Sequence, residues 1–149
     1  MISGSTFLFF CLSTEVACCV LFVSGWPKIK NMGKWYTLGA VFLPLLSCVI
    51  FWSMALHMHT HFNGWPRQIG YQDFSVALER HAKIQEHILT LTFGVAFMAA
   101  PLLTLIFSLT PKLRPLLDYL RVFYLAFSLL ALSLFAGIAP KGYLDWFWD

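Results

Sequence analysis

Five histidines between positions 57 and 87 are the residues of this 149-residue chain best suited to chemistry. His57 and His61 are four apart, which places them on one face if this stretch is helical. Imidazole is the commonest protein ligand for transition metals, and a cluster of it with carboxylates nearby suits zinc, copper or iron. The candidate metal ligands are His57, His61, His81 and His87, with Glu79 and Glu86 in supporting roles.

The histidines are also compatible with two different roles. A pair on facing helices is a way to hold a haem in a bundle core. Alternatively, the segment from His57 through His59 to His61 is simply the solvated end of a helix. The spacing matches neither an HExxH nor a CxxC zinc motif. Signatures such as GxSxG, a Walker loop or GxGxxG are missing as well, so the sequence leaves enzymatic activity undecided and leans against it.

Glu15 is the sharpest single residue, because it lies about ten residues into an apolar run and therefore near the predicted bilayer centre. An ionised carboxylate there costs at least about 3 kcal/mol unless it is paired or protonated. Glu15 is a candidate for a proton or ion path. It is equally a candidate for a neutral, hydrogen-bonded packing residue. Its possible partners are Ser47, Thr90, Thr92 and Ser128.

The composition is that of a membrane protein. Hydrophobic residues make up 59% of the chain and charged residues 11%, less than half the usual charged share of a globular protein. All four cysteines lie in apolar runs with no CxxC pair, which indicates neither a disulfide framework nor a zinc site. They are Cys11, Cys18, Cys19 and Cys48.

The predicted fold is all-α, a single domain of four transmembrane helices, because a helix of about 20 apolar residues spans the hydrocarbon core. Pro44 and Pro101 fall inside predicted spans, where proline kinks a helix. Asp118 and Arg121, three apart at the start of the fourth span, are expected to pair. The four spans are about 5–25, 36–57, 87–109 and 116–138, and a polar connection over 58–86 joins the second to the third.

The polar connection contains an amphipathic helix that begins near Asp73, a typical N-cap residue. Its apolar face carries Phe74, Ala77, Leu78, His81 and Ile84, and Glu79, Arg80, Lys83 and Glu86 cover the other face. This helix either lies on the membrane surface or joins the third span as one long helix that stands out of the bilayer.

Orientation follows from the lysines and arginines in the short loops, which favour the cytoplasmic side. Lys28, Lys30 and Lys34 follow the first span, and Lys112 and Arg114 precede the fourth. Both loops are therefore predicted to be cytoplasmic. Both termini and the histidine-bearing connection are then on the outer side of a plasma or inner membrane.

Three functions are compatible with these features. The favoured one is a small, mainly structural subunit of a larger membrane complex of respiratory, photosynthetic or oxygenase type, or a homo-oligomer. The partners would be the bilayer and other membrane subunits or copies of the chain, and no nucleic acid. The second is a metal- or haem-binding redox protein with its centre at the outer boundary. The third is a proton or ion path around Glu15.

Overall fold

A computed structural model describes residues 33–65, 74–135 and 138–148, and within these ranges the chain is helical with no β-strand. The all-helical prediction is confirmed for these residues, and three of the described helical segments are long and apolar enough to cross a membrane. The predicted first span, 5–25, lies outside the described residues, and so does Glu15. The helices are α1 (Lys34–His61), α2 (Val76–Leu109), α3 (Leu117–Phe135) and α4 (Lys141–Trp148).

Helix α1 extends past the predicted second span, so His57, His59 and His61 all belong to its last turns. Pro44 is buried in its interior, and the helix continues through it. The end is set by a turn in which the N–H of Gly64 donates to the carbonyl of His59 at 3.0 Å. Gly64 has φ +155°, a conformation that side chains with a Cβ rarely adopt, so glycine suits this stop.

Helix α2 settles how the amphipathic segment is placed. Residues 76–86 are its first turns and run without a break into the predicted third span. At about 1.5 Å per residue its 34 residues reach about 50 Å, against about 30 Å of hydrocarbon. The helix is capped by Ser75, whose Oγ accepts from the N–H of Leu78 at 3.2 Å, while Asp73 lies outside the described residues.

The buried face of α2 only partly coincides with the apolar face read from the sequence. Of that apolar face, Leu78 is buried in the bundle, whereas Ala77 and Ile84 are exposed. Spacings of three and four residues do connect the residues that pack inward, but the stripe is displaced around the helix because α1 decides which side is covered. The buried stripe consists of Leu78, Ala82, Gln85, Leu89 and Thr92.

A π-helical turn over Val95–Ala99 precedes Pro101. The N–H of Ala100 donates to the carbonyl of Val95, five residues back. The next bond of that pattern would run from residue 101 to Ala96, but proline has no N–H to give. The hydroxyl of Tyr124 on α3 donates to the Ala96 carbonyl instead, at 2.9 Å. The interruption predicted at Pro101 is thus present as a widened turn satisfied from the neighbouring helix.

Helix α3 follows a 3₁₀ turn, Pro111–Leu116, that contains Pro115. In its first turn Asp118 accepts from Arg121, which confirms the predicted pairing of these two residues. Helix α1 packs along both α2 and α3 and is the central helix of the described bundle. Helix α4 folds over the end of the bundle that carries the histidines, where its Tyr143 is buried between α1 and α2.

Candidate functional site at the histidine end of the α1–α2 seam

The structure brings two of the predicted ligands together. His57 is on the penultimate turn of α1 and His81 on the second turn of α2, and the antiparallel packing of these helices sets them opposite each other. Their Nδ1 atoms are 3.1 Å apart and the ring centroids 5.3 Å apart. Both side chains are half-buried, so the pair is open to solvent on one side.

Ser53 fixes the protonation pattern of this pair. Its Oγ donates to the carbonyl of Ile50 at 2.9 Å, and a hydroxyl has one hydrogen to give. Toward Nε2 of His81, 3.1 Å away, Ser53 is therefore the acceptor. A neutral His81 with its proton on Nε2 has a free lone pair on Nδ1, which accepts from Nδ1–H of His57. The hydrogen bonds run in one direction, from His57 through His81 and Ser53 to Ile50.

The remaining predicted ligands lie apart from this pair. His87 is exposed, and its Nδ1 donates to the carbonyl of Lys83 at 2.6 Å. His61 contacts the ring of Phe62, and His59 contacts that of Trp65. Across the described ranges, no three histidine, cysteine, aspartate or glutamate side chains converge as a metal site would require. The geometry therefore reduces the predicted four-histidine group to a pair.

The two supporting glutamates are not at the pair either. Glu79 forms an ion pair with Lys83 at 2.7 Å, one turn apart on the exposed face of α2. Water screens the attraction between these two side chains, so the pair adds little to the stability of the helix. Glu86 is exposed on α2. The carboxylates are therefore surface residues of the helix that carries His81.

A second polar contact lies one turn deeper in the same seam. The hydroxyl of Tyr143 is 3.2 Å from the carbonyl of Phe51 and 2.9 Å from Oε1 of Gln85. The hydroxyl has one hydrogen, so it donates to these two acceptors as a shared bond or to one of them at a time. Burial raises the pKa of the Tyr143 hydroxyl above its ordinary value, so it stays protonated and available as a donor.

Sequence reasoning missed Tyr143 and Gln85. Tyr143 stands in an aromatic tail that is typical of an interfacial anchor, yet it is fully buried. Gln85 is four residues after His81, a spacing that puts both on neighbouring turns of one face. That spacing is a usable signal, but only the position of α4 supplies Gln85 with its partner.

A third contact completes the seam. Ser47 Oγ and Thr92 Oγ1 are 2.5 Å apart and both side chains are fully buried. Each is also within hydrogen-bond distance of its own helix, at the carbonyls of Leu43 and Ile88. One hydroxyl donates across the seam and the other donates to its helix, so two of the hydroxyls predicted as partners for Glu15 are paired with each other.

Comparison with known proteins gives no relative. No protein family, no curated protein and no solved structure matches the chain. The function of the site therefore has to follow from its chemistry.

The histidine pair offers two kinds of chemistry. Two facing imidazoles share one added proton, because a protonated ring donates to its neutral neighbour, or they present two nitrogen ligands to one cation. A haem between them does not fit, because axial ligands bind opposite faces of the macrocycle and these nitrogens are in direct contact. The haem alternative is therefore excluded for this pair.

Proposed function

We propose that this protein is a small, mainly structural subunit of a larger membrane assembly or of an oligomer of itself. The observation that carries the proposal is an open apolar groove of about 380 Å³ at the end of the bundle opposite the histidines. All three long helices line it, with Tyr36, Gly39 and Leu43 from α1 on one wall.

Gly39 makes the groove suited to another helix. A Cβ built on Gly39 meets no atom within 4 Å, so the backbone of α1 is approachable there. Helices associate in lipid through close van der Waals contact, and small residues at the contact bring the backbones together. The occupant we propose is therefore a transmembrane helix of a neighbouring chain.

The interior of the bundle favours a structural role over transport. The buried polar side chains of the described residues are Ser47, Gln85, Thr92 and Ser133. Each is hydrogen-bonded to a side chain of a neighbouring helix. A solute path would need polar groups that are free to bind water or cargo, and these four are already engaged.

The proposed orientation keeps the histidine pair on the outer side. Lys112 and Arg114 lie in the turn between α2 and α3, at the end of the bundle opposite the pair. Positive residues in short loops favour the cytoplasm, so the groove would lie toward the inner leaflet. A cysteine at Lys112 that is labelled from outside intact cells would contradict this orientation.

Photocross-linking tests the subunit proposal. Tyr36 lines the groove and neighbouring Trp35 does not, and both are strongly exposed aromatic residues, so each tolerates benzoylphenylalanine in its place. In native membranes, position 36 should give an adduct with another protein chain, and position 35 should give far less. Mass spectrometry of the adduct distinguishes a second copy from a different subunit.

The outcomes that contradict the proposal are specific. Adducts only with lipid, or only within the same chain, including the predicted first span at 5–25, would mean that no neighbour occupies the groove. Equal adducts from positions 35 and 36 would mean that any association does not use it.

A further inference from the structure

We propose that His57 and His81 together bind one divalent transition-metal ion, of the copper or zinc class, that joins the outer ends of α1 and α2. This proposal rests on the pair itself and stands independently of the subunit proposal. It uses two histidines from different helices, in place of the four predicted from the sequence.

The separation of the two nitrogens fits ligands of one ion. Imidazole nitrogens bind zinc at about 2.0–2.1 Å, so nitrogens 3.1 Å apart subtend an angle of roughly 100° at the metal. That value lies between the angles of a square-planar and a tetrahedral site, the geometries of Cu²⁺ and Zn²⁺. It rules out the linear arrangement, in which the nitrogens are separated by the sum of both bonds.

The empty and loaded states differ by a turn of both rings and one relocated proton. Without metal the rings face each other nearly head-on, and Nδ1–H of His57 donates to Nδ1 of His81. Binding requires the His57 proton to move to Nε2 and both rings to turn so that their lone pairs meet at the ion. Charge balance is kept, because both ligands are neutral imidazoles and the ion retains its charge.

Ser53 prepares His81 for this role. Histidines that bind metals almost always donate their other ring N–H to a fixed acceptor, which sets the tautomer and the ring orientation. Nε2 of His81 donates to Ser53 Oγ at 3.1 Å, and Ser53 is itself oriented by the Ile50 carbonyl. Ser53 is a positioning residue, and His57 and His81 are the ligands.

The remaining coordination positions face solvent. Both histidines are half-buried, and Ser53 beside them is exposed. Water or an anion from solution would complete the coordination. Two protein ligands are fewer than the four of a structural zinc site or the three of a catalytic one, so this site would exchange its ion readily.

The test is a titration of the full chain, purified in detergent with a tag that contains no histidine, with Cu²⁺ and with Zn²⁺. We expect one ion per chain and a Cu²⁺ electron paramagnetic resonance spectrum with two coupled nitrogens. His57→Gln and His81→Gln should each weaken binding by at least about tenfold, and Ser53→Ala by roughly tenfold. His61→Gln and His87→Gln are matched controls that should leave affinity within about twofold, because neither residue is in the pair.

Three results would overturn the proposal. No saturable binding means that the pair is a hydrogen bond and nothing more. Loss with His61→Gln but not with His81→Gln means that the ion sits on a single helix between residues 57 and 61. Affinity unchanged by Ser53→Ala, together with fewer than two coupled nitrogens, contradicts the site even if the His81→Gln variant fails to fold.

Discussion

The two sides of α1 are held in different ways. Toward α2, the seam contains polar contacts at three successive levels: the Ser47–Thr92 hydroxyls, the Tyr143 bridge, and the His57–His81 pair with Ser53 beside it. Toward α3, the contact is formed by large apolar and aromatic side chains and includes one hydrogen bond, from Trp52 Nε1 to Ser133 Oγ at 3.2 Å. Directional hydrogen bonds therefore specify the α1–α2 seam, and the shapes of the packed side chains specify the α1–α3 seam.

This difference between the two seams follows from the apolar nature of the surrounding lipid. Lipid is as apolar as leucine, so burial of apolar surface does not by itself tell one helix pairing from another. Hydrogen bonds at fixed levels allow only one register between α1 and α2. Close packing of differently shaped side chains fixes the register between α1 and α3. This packing is sensitive to the removal of a large side chain, which leaves a cavity.

The largest loss of stability is expected from a substitution in the α1–α3 seam. Leu130 of α3 is fully buried, and Leu129 beside it is half exposed. Leu130→Ala should lower the free energy of unfolding by about 2–5 kcal/mol through the cavity it leaves. Leu129→Ala should change it by less than about 0.5 kcal/mol. Unfolding titrations with SDS in mixed micelles measure both, and equal values for the two variants would contradict this packing.

The Tyr143 bridge should give the next largest effect. Tyr143→Phe keeps the ring and removes the hydroxyl, which leaves the buried Gln85 amide without that partner. The free energy of unfolding should fall by about 1–3 kcal/mol, the cost of an unsatisfied buried group. Tyr119→Phe at the opposite end of the bundle is the control. A loss no greater than that of the control would mean that α4 does not close this end.

The π-turn offers a test by rescue. Tyr124→Phe removes the donor to the Ala96 carbonyl and should cost about 1 kcal/mol. Pro101→Ala restores an N–H at the position where the helix lacks one. The cost of Tyr124→Phe, measured by the same titration, should therefore be smaller in the Pro101→Ala background. An unchanged cost would show that the tyrosine hydroxyl does not compensate for the proline.

The smallest effect is expected at the Ser47–Thr92 contact. A double-mutant cycle with Ser47→Ala and Thr92→Val isolates the hydrogen bond across the α1–α2 seam. The coupling energy should be about 0.6 kcal/mol and at most about 1.7 kcal/mol, as for hydrogen bonds between helices in membranes. A matching cycle with Trp52→Phe and Ser133→Ala measures the α1–α3 bond. If the Ser47–Thr92 cycle gave no coupling energy while the Trp52–Ser133 cycle did, hydrogen bonding would specify the α1–α3 seam and not the α1–α2 seam.

The helices could be predicted from the sequence because the length and hydropathy of a helix are properties of one continuous stretch of residues. The second span and the Asp118–Arg121 pair both follow from spacing along one helix. The sequence left open whether the charged segment continues into the third span, and in α2 it does. The same reasoning grouped Ala77 and Ile84 with Leu78 on one apolar face of α2, but only Leu78 of these three is buried in the bundle. The spacing of apolar residues along a helix predicts which of them share a face. The position of the neighbouring helix decides which of those residues are buried.

The candidate site shows the same limit. The histidines were found by residue type, but their grouping was not, because His57 and His81 are 24 positions apart and spacing carries no information at that distance. His61, although on the same helix as His57, lies outside the pair. Gln85 was overlooked because its partner, Tyr143, comes from a distant helix.

The amino-acid sequence alone therefore determined that this chain is helical, apolar enough to cross a membrane, and interrupted near Pro101, because these properties depend on neighbours within a few residues. Only the tertiary structure decided that His81 faces His57, that Tyr143 fills the seam beside Gln85, and that Tyr124 serves the carbonyl that Pro101 leaves without a donor. Those contacts join residues from different helices, and their geometry exists only after the helices have packed.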